Sequence, residues 1–228
     1  VLPAITSNFL SLDDKWHCVS KRNSTHFGVE KILGLREDKK DRTRTQLLEA
    51  GLDLIHKRGF EATTVADIAA AVGVSPRTLL RYFPTKEDVI VSWVQDGMTI
   101  IREELEERLK SEPPVVALLA SARAMLAVFE EKSRFFLAIE TAIRSNRSIS
   151  ARKEQMIAEL IDEVARILAS PDRPCRLPGV VAYTVSGTVF ALIRATISSW
   201  VEGREGMSLP DIFDQAATVV HFETNGTE

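Results

Sequence analysis

Thr63–Lys86 reads TTVADIAAAVGVSPRTLLRYFPTK, an order of residue types that specifies two short helices around a tight turn. Thr64 is a suitable N-cap, because its hydroxyl can accept a hydrogen bond from an amide in the first helical turn. Asp67, three residues on, suits a capping box and the positive end of the helix dipole. Val65, Ile68, Ala69 and Val72 follow at helical spacing, which gives one apolar face. Gly73 stands where the chain must turn left-handed, and Val74 plugs the corner. Ser75 then caps a second helix with Pro76 at its first position, where a missing amide hydrogen does no harm. Helix, glycine turn and helix together make a helix-turn-helix.

The second helix divides by chemistry. Leu79 and Phe83 lie four apart and point inward. Pro76, Arg77, Leu80 and Arg81 share the opposite side, and Thr78 with Tyr82 forms a flank. An ordinary amphipathic helix would explain any one of these residues, but the ordered combination suits a helix lying in the major groove of double-stranded DNA. Arginine can make a bidentate contact to guanine, while Thr, Tyr and Lys suit phosphate oxygens. Lys86, just past the helix, is expected to reach the same backbone. The expected DNA-binding set is Thr64, Ser75, Pro76, Arg77, Thr78, Leu80, Arg81, Tyr82 and Lys86.

The preceding stretch, from Arg42 to Phe60, carries apolar residues at 47, 48, 51/52, 54 and 55, a helical stripe. It stops at Gly59, with Lys57 and Arg58 in the last turn, where cations suit the dipole. The ordered residues A-T-T-V-x-D-I-A-x-x-x-G-V-S-x-x-T-L-x-R-Y-F-x-x-K-E-D resemble the tetracycline-repressor (TetR) family of transcriptional regulators over roughly residues 40 to 90. That resemblance implies an N-terminal three-helix DNA-binding domain, a larger helical domain that binds a small-molecule effector, and a homodimer. The family usually places Tyr where this chain has Leu80, so one customary contact is replaced by an apolar side chain that could touch a thymine methyl.

The chain has 228 residues, 45% of them hydrophobic, and a net charge of -3. That is enough to bury a core and form a small plus a larger domain. Residues 36–90 carry ten basic and nine acidic side chains, and residues 91–228 carry fifteen and twenty. The DNA-reading module is therefore nearly neutral, and its grip is expected to depend on a few placed phosphate contacts rather than a broad positive field. Residues 1–35 show no helical period and no basic region followed by a long apolar run. They are expected to be a disordered leader without a secretory signal.

The expected organisation is all-α: a leader over 1–35, a helix-turn-helix domain over 36–84 and a helical effector-binding and dimerisation domain over 85–228. Thr85 caps one long helix to about residue 109, with Ile90, Val94, Met98, Ile101, Leu105 and Leu109 as its seam. Pro113-Pro114 opens another, ending near Lys132. Ser133 is expected to cap a helix to Ser145, and Ser150 to precede one to Ala169; residues 170–178 are rich in turn formers.

Residues 177–193 carry no charge and fall at the lower edge of a membrane span. Gly179, Ser186, Gly187 and the nearby Arg194 favour a core helix and no membrane association. Leu209 to Phe222 is amphipathic. By resemblance, the last two helices, about 177–222, would form a four-helix dimer interface. Two recognition helices related by a twofold axis would then read a palindromic operator with half-sites about 34–36 Å apart.

Cys18 and Cys175 form no CxxC pair, which fits a reducing cytoplasm. His17, His26, His56 and His221 show no metal-ligand spacing, and no phosphate loop, nucleophile elbow or HExxH appears. The reading is of a non-enzyme without cofactor or metal. Candidates for the effector pocket that the resemblance implies are Trp93, Met98, Met125, Phe129, Phe135, Phe136, Met156, Tyr183 and Phe190, with Glu140, Arg144 or Arg194 as polar anchors. Each also suits plain core packing. An apolar lining fits a lipophilic ligand such as a fatty acyl compound, a drug or an aromatic metabolite. Two alternatives stay open: a helical adaptor using the module for protein contacts, and an activator rather than a repressor.

Overall fold

In a computed structural model, the backbone is described for residues 30–173, 175–203, 206–220 and 222, and side chains from residue 42 onward. Most of the expected leader, with His17, Cys18 and His26, lies outside the described residues, as does His221. Among the described residues ten helices follow one another: α1 (Glu30–Arg58), α2 (Val65–Ala71), α3 (Pro76–Tyr82), α4 (Lys86–Ile90), α5 (Ser92–Arg108), α6 (Pro114–Glu130), α7 (Ser133–Ser145), α8 (Arg147–Leu168), α9 (Gly179–Val201) and α10 (Leu209–Ala217). The described residues are all-α. Because α1 begins at Glu30, residues 30–35 are helical rather than part of a structureless leader.

From Leu47 onward the chain forms one compact unit. A continuous core runs from Leu47, Ile68 and Leu79 through Ile90, Leu105 and Leu126 to Leu168, Val189 and Phe213. Apolar burial is the main force holding it, at roughly 1.5–3 kcal/mol for each fully buried large side chain.

One expected helix is divided and two expected helix starts are corrected. The single helix expected from Thr85 divides at Val91 (φ -88°, ψ 5°) into α4 and α5. Val89, Ile90 and Val91 are successive β-branched residues with little rotamer freedom in a helix. The buried Ser92 hydroxyl donates to the Val89 carbonyl at 2.9 Å, competing with the helical amide. Ser133 is the first helical residue of α7, and the flanking Lys132 makes no side-chain cap bond. The next helix starts ahead of Ser150, because the Asn146 side chain accepts from the amides of Ser148 and Ile149.

Among the described residues α9 is the one helix long and apolar enough to cross a membrane, yet half of its most apolar window is buried within the protein. Buried Ser186 and Thr196 interrupt it. Its outer side leaves Val180, Val181 and Tyr183 exposed. The last helix is shorter than the amphipathic stretch suggested, ending at Ala217.

Candidate functional site

The helix-turn-helix follows from local chemistry. The Asp67 amide donates to the Thr64 hydroxyl at 3.2 Å, and the Thr64 amide donates to the Asp67 carboxylate at 2.9 Å, closing a capping box. Such a cap contributes about 1 kcal/mol. The Thr64 side-chain and backbone hydrogen bonds hold the Asp67 carboxyl below its usual range, and the Arg58 guanidinium, 2.7 Å away, adds to the effect. Gly73 adopts φ +71°, a conformation that L side chains rarely take. Ser75 caps α3 by accepting from the Thr78 amide at 3.1 Å, with Pro76 at the first position.

Leu79 is fully buried and Phe83 nearly so, while Pro76, Arg77, Leu80 and Arg81 face solvent. Leu80 is 46% exposed between the two arginines. Ser75, Arg77, Thr78, Leu80 and Arg81 line one shallow depression on this face. Thr78 and Tyr82 are half-buried at its flank, and the Arg81 guanidinium lies 5.3 Å from the Tyr82 ring centre. Thr64 stands exposed at the start of α2.

Lys86 is different. Its ammonium donates to the carbonyls of Phe60 (3.1 Å) and Thr63 (3.4 Å) and sits 4.1 Å from the Phe60 ring centre. In this DNA-free chain these acceptors make Lys86 an internal clamp. It ties α4 to the turn before α2.

A second site lies among α5 to α9. A chamber of about 250 Å³ is lined by Trp93, Met98, Met125, Phe129, Glu140, Arg144, Phe190 and Arg194, all expected from the sequence. Four other candidates do not line it. Phe136 packs behind the wall, its ring centre 4.9 Å from those of both Trp93 and Phe129. Tyr183 is 55% exposed on the outer side of α9. Phe135 and Met156 are also absent from the lining.

The sequence reading missed Lys153, Ile157 and Leu160 of α8 and Ile193 and Ile197 of α9, which complete the walls. Their spacing at three and four residues is the signal that could have found them. Lys153 and Glu140 form a largely buried pair, the ammonium reaching both carboxylate oxygens at 2.7 and 2.9 Å. The same ammonium lies 5.0 Å from the Trp93 ring centre. Arg194 pairs with Glu154 at 2.9 Å, and Arg144 donates to the Ser198 hydroxyl at 3.0 Å. The Trp93 Nε1–H is buried without a hydrogen-bond partner among the described residues.

The two sites are joined through α4. Arg152 of α8 pairs with Asp88, and the Ser148 hydroxyl donates to Glu87 at 3.1 Å. Among the described residues, no group of three or more His, Cys, Asp or Glu side chains could hold a metal ion. Cys175 is a free, exposed thiol.

Residues 47–92 match the family described as bacterial regulatory proteins, tetR family. Over 93 residues the chain is 41% identical to the HTH-type transcriptional regulator TcmR of Streptomyces glaucescens, a match spanning 41% of each protein, less than half of that relative's length. It is 25% identical over 201 residues to the HTH-type transcriptional regulator TtgR of Pseudomonas putida, covering 82% of this chain and 90% of that one. The solved FadR of Thermus thermophilus, a TetR family repressor in complex with lauroyl-CoA, superposes with a TM-score of 0.51 at 20% identity, over 81% of this chain and 99% of that one. At that identity the likeness establishes the fold.

Proposed function

Starting from the chain's membership of the tetR family of bacterial regulatory proteins, we propose that it is a cytoplasmic repressor that binds a palindromic operator as a homodimer and leaves it when a lipophilic effector occupies the chamber. The observation that carries this reading is the face of α3, where Arg77, Leu80 and Arg81 all point to solvent while Leu79 and Phe83 anchor the helix. Arginines held on a rigid, capped helix suit direct contact with base edges.

The helix-turn-helix domain is proposed to end near residue 84, and the effector and dimerisation domain to begin at 85. A dimer through about 177–222 is supported by Val180, at 76% exposure, and by Tyr183 beside it, apolar surface that a second copy would cover. The apolar walls support a lipophilic effector, and the lauroyl-CoA held by the Thermus thermophilus regulator is a precedent in this fold. A ligand that favours one arrangement of the DNA modules lowers operator affinity by its difference in affinity between the two states and no more.

The test is a gel shift of the full chain on DNA from upstream of its own gene, with excess non-specific competitor. Retarded complex at a twofold-symmetric site is expected. Binding that the competitor abolishes entirely would sink the reading and leave the adaptor alternative.

A further inference from the structure

The chamber has two chemically different ends. α5 and α8 run side by side in the same direction, since Lys153 lies over Trp93 at one level and Arg102 pairs with Glu163 at 2.6 Å at the other. α9 runs the opposite way, returning from the end of α8 through the Leu177 amide on the Leu168 carbonyl and bringing Arg194 back to Glu154. Lys153, Glu140, Arg144, Arg194 and Trp93 therefore cluster at one end. Met98, Ile101, Leu160 and Phe190 line the rest. The nine residues from Trp93 to Ile101 span about 12 Å of helix axis.

The polar end has acceptors already engaged and donors left over. Both Glu140 oxygens accept from Lys153, and Glu154 is paired with Arg194. Against these stand the partnerless Trp93 Nε1–H and the third Lys153 proton, with the half-solvated Arg144 guanidinium shared between the neutral Ser198 hydroxyl at 3.0 Å and the exposed Glu202 carboxylate at 3.5 Å. A buried donor without an acceptor costs about 1–3 kcal/mol, which a ligand oxygen would recover. A cationic head group would meet no unengaged carboxylate here.

We infer that the chamber takes an amphipathic acid: an apolar body along Met98, Ile101, Leu160 and Phe190, and a carboxylate head received by Trp93 Nε1–H, Lys153 and Arg144. This rests on the proposed effector role of the same chamber and adds the ligand's charge and orientation. The carboxylate would make charge-assisted hydrogen bonds, stronger than neutral ones.

The test is calorimetric titration of the full chain, without DNA, using decanoate, 1-decanol and decylammonium, all below their micelle concentrations. Decanoate is expected to bind tighter than either analogue by about tenfold or more. Trp93→Phe keeps a ring and removes the N–H, and should lower decanoate affinity while leaving 1-decanol unchanged. Because Lys153→Met alone would strand a buried carboxylate, the double variant Lys153→Met/Glu140→Leu is the safer second probe and should abolish the preference for the acid. Equal binding of the three compounds, preference for decylammonium, or no binding of any would overturn the inference, whatever the gel shift shows. Decanoate binding that leaves a verified operator complex intact would instead count against the effector role and leave the ligand class standing.

Discussion

The Nε of Arg152 donates to Oδ1 of Asp88 over 2.5 Å, while Oδ2 of the same carboxylate accepts from the Thr85 amide at 3.0 Å and its hydroxyl at 2.8 Å. Asp88 thus both closes the capping box of α4 with Thr85 and anchors α8. The neighbouring Lys153 lines the chamber wall. The chamber-lining turn of α8 is therefore in direct contact with the helix that follows the DNA-reading module.

Arg152→Ala should weaken the effect of ligand on DNA affinity by about 0.5–2 kcal/mol, because the two-site link loses its ion pair while Asp88 keeps its cap. Operator titrations with and without ligand, on the variant and the parent, measure this. An unchanged ratio would remove the pair from the signalling route.

On the DNA face, Arg77→Ala should relax preference at one base position by about 1–3 kcal/mol. Competition between operators varied one position at a time reads the change. A uniform loss across all variants would reassign Arg77 to phosphate contact.

Lys86→Met should leave the salt dependence of operator binding unaltered and lower stability instead, since its ammonium serves the Phe60 and Thr63 carbonyls. Hydrogen bonds to a charged group contribute about 1.5–3 kcal/mol, reduced here by the partial exposure of the site. Urea unfolding and the slope of binding against salt separate the outcomes; a slope smaller by about one would restore a phosphate role.

Gly97→Ala should constrict the chamber. A Cβ there would stand 2.8 Å from Phe129 Cζ and 3.4 Å from Met125 Sδ, so the Phe129 ring must move. Overpacking of this kind costs typically about 1–3 kcal/mol. Thermal unfolding and decanoate titration should both register the change, and an unaffected decanoate affinity would show that the ring gives way outward.

Burial pushes the Lys132 ammonium down from 10.5 to about 8, against the opposing pull of Glu131, Glu49 and Asp96. Between those values the folded chain binds fewer protons than the unfolded one, so this group makes stability rise with pH from about 8 towards 10.5. Its penalty is fully present below that window. Lys132→Met should flatten the rise, as urea midpoints at about pH 7.5 and about pH 9.5 would reveal.

Legibility in the sequence followed the range of the interaction. The Thr64–Asp67 capping box, the Thr85 cap, Ser75 with Pro76, and Gly73 are signals within three or four residues, and the structure holds them as read. The engagement of Lys86 by the Phe60 and Thr63 carbonyls was not legible, because those partners lie 26 and 23 residues upstream. Lys153 was not singled out; only Glu140 on the preceding helix makes it a wall residue. Phe136 and Tyr183 were aromatic residues at plausible positions, but one fell behind the wall and the other outside it. Eight lining residues were nonetheless found: five are large apolar side chains with few places to go on packed helices, and Glu140, Arg144 and Arg194 are charges interrupting apolar stretches.

The solvent-facing residues of α3 carry little of its anchorage, which rests on Leu79 and Phe83 beneath. Replacing Arg77, Leu80 or Arg81 changes what the surface recognises with little effect on whether the chain folds. A change in what this face reads therefore requires no change in the scaffold beneath it, and each single substitution there leaves a folded protein.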